Sequence, residues 1–155
     1  MGVEARLAEL GIELPDVAPP VAAYVPAVAT GAYVYTSGQL PFVAGALPAT
    51  GKVGDRAGLV SPADAKGYAR TCVLNALAAV RAELGSLDRV TRIVKLVGFV
   101  ASDPSFTGQP GVVNGASELL GELFGEAGRH ARSAVGVASL PLDAPVEIEL
   151  VVEFA

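Results

Sequence analysis

The stretch that decides the fold is His130-Ala-Arg-Ser-Ala-Val-Gly-Val-Ala-Ser-Leu-Pro-Leu-Asp-Ala-Pro-Val-Glu-Ile-Glu-Leu-Val-Val-Glu-Phe154. It contains two strand-like segments joined by a turn rich in Pro and Asp, which is typical of a β-hairpin. In the second segment apolar and polar positions alternate. One face carries Val146, Ile148, Leu150, Val152 and Phe154, and the other carries Glu147, Glu149, Val151 and Glu153. This alternation predicts a strand with one face in a hydrophobic core.

The first segment of the stretch carries an arginine among small residues. Two sets of side chains alternate there: Ser133, Val135, Val137 and Ser139 on one face, and Arg132, Ala134, Gly136 and Ala138 on the other. We expect Val135 and Val137 to join the core, which would place Arg132 on the face that carries Glu147. The small neighbours of Arg132 leave room for a ligand. We expect this ligand to have a carboxylate, because the planar guanidinium of arginine matches its two oxygens.

Arg132 has an alternative interpretation in which it binds no ligand. It could pair with Glu149 or Glu153 across the predicted hairpin. An exposed ion pair of this kind contributes only about 0–1 kcal/mol to stability. The sequence alone leaves both interpretations open, because it does not fix the strand register.

Length and composition narrow the class of protein. The 155 residues are 52% hydrophobic, which predicts a single domain spanning residues 1–155. The net charge of −5 disfavours nucleic acid as a partner. No apolar run approaches the roughly 20 residues of a membrane span, so we expect no membrane partner. Met1 is not followed by the basic segment and apolar block that are typical of a signal peptide. A single cysteine excludes an intrachain disulfide, so we expect a cytoplasmic protein.

The N-terminal half alternates between short elements and loops. Residues 2–10 predict a short helix that ends at Gly11, and Pro15, Pro19 and Pro20 predict an irregular arm up to residue 23. Segments 27–30 and 33–37 predict a hairpin around Gly31, and the Gly-rich segment 42–60 predicts a long loop. Ser61 followed by Pro62 predicts the start of a helix that runs to about Leu84 and ends at Gly85.

The C-terminal half supplies an argument for self-association. Val90–Val100 predicts a strand with apolar residues on both faces: Val94, Leu96 and Val100 on one, and Ile93, Val97 and Phe99 on the other. Helices can cover only one face, so we expect the other to pack against copies of the same chain. A second helix is predicted at about Pro110–Phe124. It contains Asn114, a poor helix former that is either held by a specific hydrogen bond or solvent-facing.

Other reactive side chains give little reason to expect further chemistry. Cys72 falls on the apolar stripe of its helix, which favours a core residue over a nucleophile. His130, the only histidine, precedes a strand in a position typical of an exposed residue, and a catalytic role would need an orienting carboxylate and a nucleophile that the sequence does not show. No phosphate-loop, dinucleotide-binding or metal-binding motif is present, so we expect no cofactor and no metal.

Several of these residues also carry a family resemblance. The run Ala131-Arg-Ser-x-Val-x-Val-x-x-Leu-Pro-x-x-x-x-Val-Glu147-Ile-Glu resembles the C-terminal signature of the reactive-intermediate deaminase (Rid, also called YjgF) family. The resemblance continues upstream through Tyr35-Thr-Ser-Gly-Gln-Leu-Pro41 and Asn114 and covers the chain from about Tyr24. The pattern of elements by itself predicts an α+β fold with two helices packed on one face of a mixed β-sheet. The resemblance adds a chorismate-mutase-like (YjgF-like) fold and a homotrimer with clefts between subunits.

The resemblance also implies an activity. Rid proteins hydrolyse reactive enamines and imines such as 2-aminoacrylate to a 2-keto acid and ammonia, without a cofactor. By resemblance, Arg132 holds the carboxylate of a small substrate and Glu147 orients or activates the attacking water. Tyr24, Ser37, Gly38 and Asn114 match positions that line the family's pocket, as does Ala134 through its backbone.

This chain departs from the family pattern at several positions. Ala134 stands where close deaminase relatives commonly have Cys, Gly136 replaces a frequent Glu, and His130 replaces Pro. The N-terminal arm and the 42–60 loop are longer. Three functions therefore stay open: an enamine/imine deaminase, a non-catalytic trimeric sensor of small keto or amino acids, and RNA cleavage, which the acidic charge disfavours.

Overall fold

The computed structural model describes residues 2–17, 19 and 22–155, so Pro20 of the predicted arm lies outside the described residues. The helices are α1 (Val3–Glu9), α2 (Pro62–Leu84) and α3 (Gln109–Phe124); the strands are β1 (Ala27–Thr30), β2 (Tyr33–Thr36), β3 (Val90–Ala101), β4 (Ala131–Val137) and β5 (Val146–Phe154). Short 3₁₀ turns lie at Leu87–Arg89, Gly125–Gly128 and Pro141–Asp143. These bounds confirm the predicted helices, the predicted N-terminal hairpin and the three predicted strands of the C-terminal half.

The bounds of α2 follow from local chemistry. The Ser61 hydroxyl accepts a hydrogen bond from the backbone N–H of Asp64 at 3.1 Å, and Pro62 occupies the first helical position, where its missing N–H costs nothing. Gly85 ends the helix with φ 83°, a left-handed conformation that residues with a Cβ adopt at a cost. These signals are local, which is why the sequence predicts both ends.

The five strands form one mixed sheet in the order β1-β2-β5-β3-β4. β3 and β4 are parallel, and the other neighbouring pairs are antiparallel. The predicted C-terminal hairpin is therefore wrong: β4 and β5 do not pair, because β3 lies between them. The connection over residues 138–145 is long enough to pass over one strand, since crossing two strand spacings requires about 10 Å.

The register of β4 also corrects the predicted position of Arg132. Arg132 pairs with Leu96, and Ala134 pairs with Gly98, so both side chains lie on the face of the sheet covered by the helices. Val135 is 44% exposed on the opposite face, where Glu147 lies. The expectation that Arg132 shares a face with Glu147 is wrong. Helix α3 packs over the face of β4 that carries Arg132 and Ala134, and a Cβ on Gly136 of that face would clash with the side chain of Gln109 in α3.

Strand β3 contains an irregularity that changes one predicted face. A register shift between Ile93 and Lys95 puts Ile93 on the buried face together with Leu96, whereas strict alternation predicted opposite faces. Further along β3, a Cβ on Gly98 would clash with the side chain of Val113. Glycine at this position therefore lets α3 approach the sheet closely.

The hydrophobic core lies between the sheet and the helices α2 and α3. Its largest fully buried side chains are Leu77, Leu87, Ile93, Leu96, Leu119, Leu120, Ile148 and Leu150. Each such side chain stabilises the fold by about 1.5–3 kcal/mol relative to exposure. The 42–60 loop also contributes, because Val53 is fully buried and its backbone bonds to Ala101 and Asp103.

The second face of the sheet is open in a single chain. Val28, Tyr33, Tyr35 and Val135 are exposed, with fractional exposures from 39% to 49%. Exposed apolar side chains of this size, gathered on one face, are typical of a surface that another protein covers. None of the described helices combines the length and the apolar character that a membrane crossing requires.

Candidate functional site

Arg132 projects from β4 toward α3 and is half-buried there. Its Nη1 donates to Asn114 Oδ1 at 2.8 Å and to Ser117 Oγ at 3.3 Å. Asn114 is therefore held inside α3 by a specific hydrogen bond, and the solvent-facing alternative is wrong. Within the described part of the chain no carboxylate lies within ion-pair distance of Arg132, so the predicted alternative of a pair with Glu149 or Glu153 is also wrong.

Behind Arg132 the contacts continue to the only histidine of the chain. Ser117 Oγ lies 3.0 Å from Nε2 of His130, and Nδ1 of His130 lies 2.6 Å from the carbonyl oxygen of Gly128. His130 is half-buried, so the expectation of an exposed residue is wrong. The sequence contains no signal that joins Ser117 to His130, because the two are 13 positions apart on different elements.

Glu147 occupies a different part of the molecule, near the start of β5. Its carboxylate lies against the backbone of Gly38, where any Cβ would overlap the carboxylate group. No described group donates a hydrogen bond to this carboxylate. Burial raises the pKa of Glu147 above its ordinary value, and repulsion from Glu149 raises it further.

Ser37 connects this region to the N-terminal arm. Its hydroxyl donates to the carbonyl oxygen of Val25 at 2.6 Å, and its backbone N–H donates to the carbonyl of Pro26 at 2.8 Å. These bonds hold the segment that contains Tyr24 beside Gly38. The Tyr24 side chain is 52% exposed, so it is available to a ligand.

The predicted site residues thus form two groups. The arginine group consists of Asn114, Arg132 and Ala134, and the glutamate group consists of Tyr24, Ser37, Gly38 and Glu147. Arg132 aligns with Leu150 across β3, so Arg132 and Glu147 are two strands and three residues apart, about 14 Å between Cα atoms by standard strand spacing, and on opposite faces of the sheet. One chain therefore cannot bring both groups to one small ligand.

The remaining reactive groups form no competing site. Cys72 is fully buried, its Sγ lies 3.6 Å from the carbonyl of Val146, and burial, followed by the nearby Glu147 charge, raises the pKa of its thiol. The prediction of a core cysteine is confirmed. In the described ranges no cluster of His, Cys, Asp and Glu could hold a metal ion. An open depression of about 510 Å³ near the first turns of α2 and α3 contains none of the predicted site residues.

Comparison with known proteins gives a consistent result. Residues 4–154 match the family model "YjgF/chorismate_mutase-like, putative endoribonuclease". The protein TCP17 of Trypanosoma cruzi is 47% identical over 154 residues, which is 97% of this chain and 93% of that relative. The predicted family and the predicted α+β fold are confirmed.

Solved structures agree with the family model. A crystal structure from Agrobacterium tumefaciens, of a protein of unknown function, is 47% identical and superposes with a TM-score of 0.88 over 99% of this chain and 92% of that chain. The crystal structure of E. coli TdcF with bound serine is 26% identical, with a TM-score of 0.65 over 90% of this chain and 93% of that chain.

Proposed function

We propose that this chain, which belongs to the YjgF/chorismate-mutase-like family, hydrolyses reactive enamines and imines of small amino acids to 2-keto acids and ammonia. In this proposal two neighbouring copies build each site: one contributes the arginine group and the other the glutamate group.

The observation that carries the proposal is the environment of Arg132. A half-buried guanidinium with only the neutral partners Asn114 and Ser117 has an uncompensated positive charge. Its Nε and Nη2 have no acceptor among the described residues. Such a cation binds a carboxylate well, because both the charge and the planar pair of N–H donors are then matched. TdcF was crystallised with serine, a ligand that also has a carboxylate.

Glu147 supplies the second requirement of the proposed chemistry. A carboxylate with a raised pKa is a stronger base than a fully solvated one, and no described donor weakens it. The contact with Gly38 keeps one side of the carboxylate against backbone, and that leaves the other side for water.

The proposed reaction needs no cofactor. The enamine first takes a proton from solvent on carbon and becomes an iminium, R–C(=NH₂⁺)–COO⁻. Water attacks the iminium carbon while Glu147 accepts one of its protons, which gives R–C(OH)(NH₂)–COO⁻. The protonated Glu147 then delivers that proton to nitrogen, the C–N bond breaks as the hydroxyl group releases its proton to solvent, and the products are ammonia and R–CO–COO⁻. Arg132 binds the carboxylate throughout and orients the imine carbon toward the water.

A second copy of the chain is part of the proposal because of the distance between the two groups. The exposed apolar residues Val28, Tyr33, Tyr35 and Val135 give the open sheet face the character of an interface. A cyclic trimer joins two different surfaces at each contact, so the arginine group of one copy can meet the glutamate group of the next.

A non-catalytic sensor of small keto or amino acids is the second candidate. The serine bound to TdcF favours ligand binding without showing turnover. A sensor would require Arg132 but not Glu147. Cleavage of RNA, which the family description names, has less support because the net charge is −5 and His130, the only histidine, is occupied by Ser117 and Gly128.

A trapping assay distinguishes these functions. An amino-acid oxidase or dehydratase generates the imine in situ, semicarbazide traps it, and a deaminase lowers the yield of semicarbazone while raising that of the 2-keto acid. The wild type should compete with the trap. A wild type that binds pyruvate in calorimetry but leaves the semicarbazone yield unchanged would instead be a sensor, and cleavage of a labelled RNA that Glu147→Gln does not affect would contradict both.

A further inference from the structure

We propose that Ser117 and His130 are positioning residues that fix the rotamer of Arg132 and select which pair of its N–H groups faces the ligand carboxylate. This inference rests on the proposed role of Arg132 as the carboxylate anchor. Neither residue was among the predicted site residues, and His130 stands where the family commonly has Pro.

The chemistry of the partners fixes the direction of each hydrogen bond. The Gly128 carbonyl oxygen can only accept, so Nδ1 of His130 carries the proton. The Nε2 atom of a neutral imidazole is then an acceptor, and the Ser117 hydroxyl donates to it. With its own proton directed to His130, Ser117 Oγ presents lone pairs to Nη1 of Arg132. The result is a hydrogen-bond chain in which every donor is directed from Arg132 toward the Gly128 carbonyl.

The hydrogen-bond chain and Asn114 together account for both protons of Nη1. One goes to Asn114 Oδ1 and the other goes to Ser117 Oγ. The N–H groups left over are Nε–H and one N–H of Nη2, which are parallel, together with the outer N–H of Nη2. A carboxylate that docks on Arg132 therefore uses the side-on pair of Nε and Nη2, because the end-on pair would require Nη1.

The supports of the chain come from three separate elements. Ser117 lies on α3, Gly128 ends the 3₁₀ turn that follows α3, and Arg132 lies on β4. Gly128 is buried, and a Cβ there would clash with the carbonyl of Leu120, so the position of the final acceptor is set by close backbone packing. The hydrogen-bond chain therefore fixes the guanidinium of Arg132 relative to the backbone, because it ends on a backbone carbonyl and not on another mobile side chain.

The first test needs no ligand and no activity. His130 is the only histidine, so histidine labelled with ¹⁵N gives the two ring nitrogens of a single residue by NMR. We expect Nδ1 to carry the proton and Nε2 to accept a hydrogen bond, with an Nε2 signal that shifts in Ser117→Ala but not in Ser86→Ala. Ser86 is a matched control, because its Oγ accepts a hydrogen bond from Asp88 N outside the site. A ring protonated at Nε2 in the wild type would overturn the inference.

The second test separates positioning from folding. We expect Ser117→Ala to weaken pyruvate binding and raise KM about tenfold, the typical effect of losing a hydrogen bond to a charged group, with kcat much less affected. Ser117→Thr keeps the hydroxyl and should restore most of the affinity. His130→Gln, which can offer an acceptor near the Nε2 position, should retain more affinity than His130→Ala. Equal affinity in wild type, Ser117→Ala and His130→Ala would overturn the inference.

The two proposals fail in distinguishable ways. If the wild type showed no deaminase activity, the proposed function would fail, while pyruvate binding by the Ser117 variants would still test the inference. If the wild type bound no carboxylate at all, Arg132 would not be an anchor and both would be overturned. If Ser117→Ala lost only thermal stability and kept its pyruvate affinity, the inference alone would be wrong.

Discussion

The two groups of site residues differ in how their charged side chains are held. Arg132 has its Nη1 fully engaged by Asn114 and Ser117, which stand on a helix packed against the core. Glu147 lies on the open sheet face, half-buried and without a described hydrogen-bond donor. The cation is thus fixed in direction, whereas the carboxylate is kept basic by its surroundings. The difference matches the roles that we propose for the two residues, because binding a carboxylate needs a rigid pair of donors and accepting a proton needs an unsatisfied base.

The largest expected effects come from removing either charge. Arg132→Ala should weaken pyruvate binding by about 10²-fold or more, because it removes the only cation of its group. Glu147→Gln should lower kcat by about 10²–10⁴-fold, the usual contribution of a general base, while pyruvate binding is retained. Calorimetry and the trapping assay measure the two effects separately. Loss of binding in Glu147→Gln would contradict the division of roles.

Gly38 offers a way to disturb the glutamate group without removing its charge. Gly38→Ala should push the Glu147 carboxylate from its place and lower turnover, on the order of 10²-fold if the displacement approaches 1 Å. Gly67→Ala is the matched control, because Gly67 is exposed in α2 and a Cβ there meets no neighbour. The control should keep full activity and gain about 0.5–1 kcal/mol of stability. Wild-type turnover in Gly38→Ala would show that the carboxylate position does not matter.

Mixing two inactive variants tests whether neighbouring copies share each site. Arg132→Ala and Glu147→Gln, each inactive alone, are denatured together in equal amounts and refolded. Each mixed cyclic trimer then contains one site with both an intact arginine and an intact glutamate, so about a quarter of the wild-type activity should return. Sites built within one chain would give no recovery. The molar mass from light scattering checks that the refolded protein is a trimer.

Local signals explain which parts of the fold the sequence predicts. Ser61, Pro62 and Gly85 act within one helical turn, so they fix the ends of α2 without tertiary information. The alternation in β5 correctly places Ile148 and Leu150 in the core, because only one face of that strand is buried within the chain.

The errors have a common physical origin in strand pairing. Periodicity describes the two faces of a strand, but it does not say which strands are neighbours or which face meets the helices. Strand β3 comes earlier in the chain yet lies between β4 and β5, which no local residue reveals. In β4, the apolar character of Val135 led us to expect it in the core. Val135 instead lies on the open face of the sheet, where it is exposed in the single chain. The contact of Ser117 with His130 follows from that same arrangement and was missed with it.

The smallest expected effect concerns pH and stability at Glu147. Its pKa is raised chiefly by burial and secondly by Glu149. As the pH is lowered, kcat/KM should therefore begin to fall at a pH above the ordinary glutamate pKa of 4.5, and Glu149→Gln should move that fall toward lower pH.

A carboxyl whose pKa is higher in the folded state stabilises the fold below its unfolded pKa, and this stabilisation is lost as the pH rises through the folded pKa. Glu147→Gln should therefore raise the melting temperature at neutral pH, with a gain that shrinks in acid. Melting curves at equal protein concentration measure this change in stability. If Glu147→Gln were less stable than wild type at neutral pH, the Glu147 carboxylate would be stabilised by contacts in the fold and not left without hydrogen-bond donors.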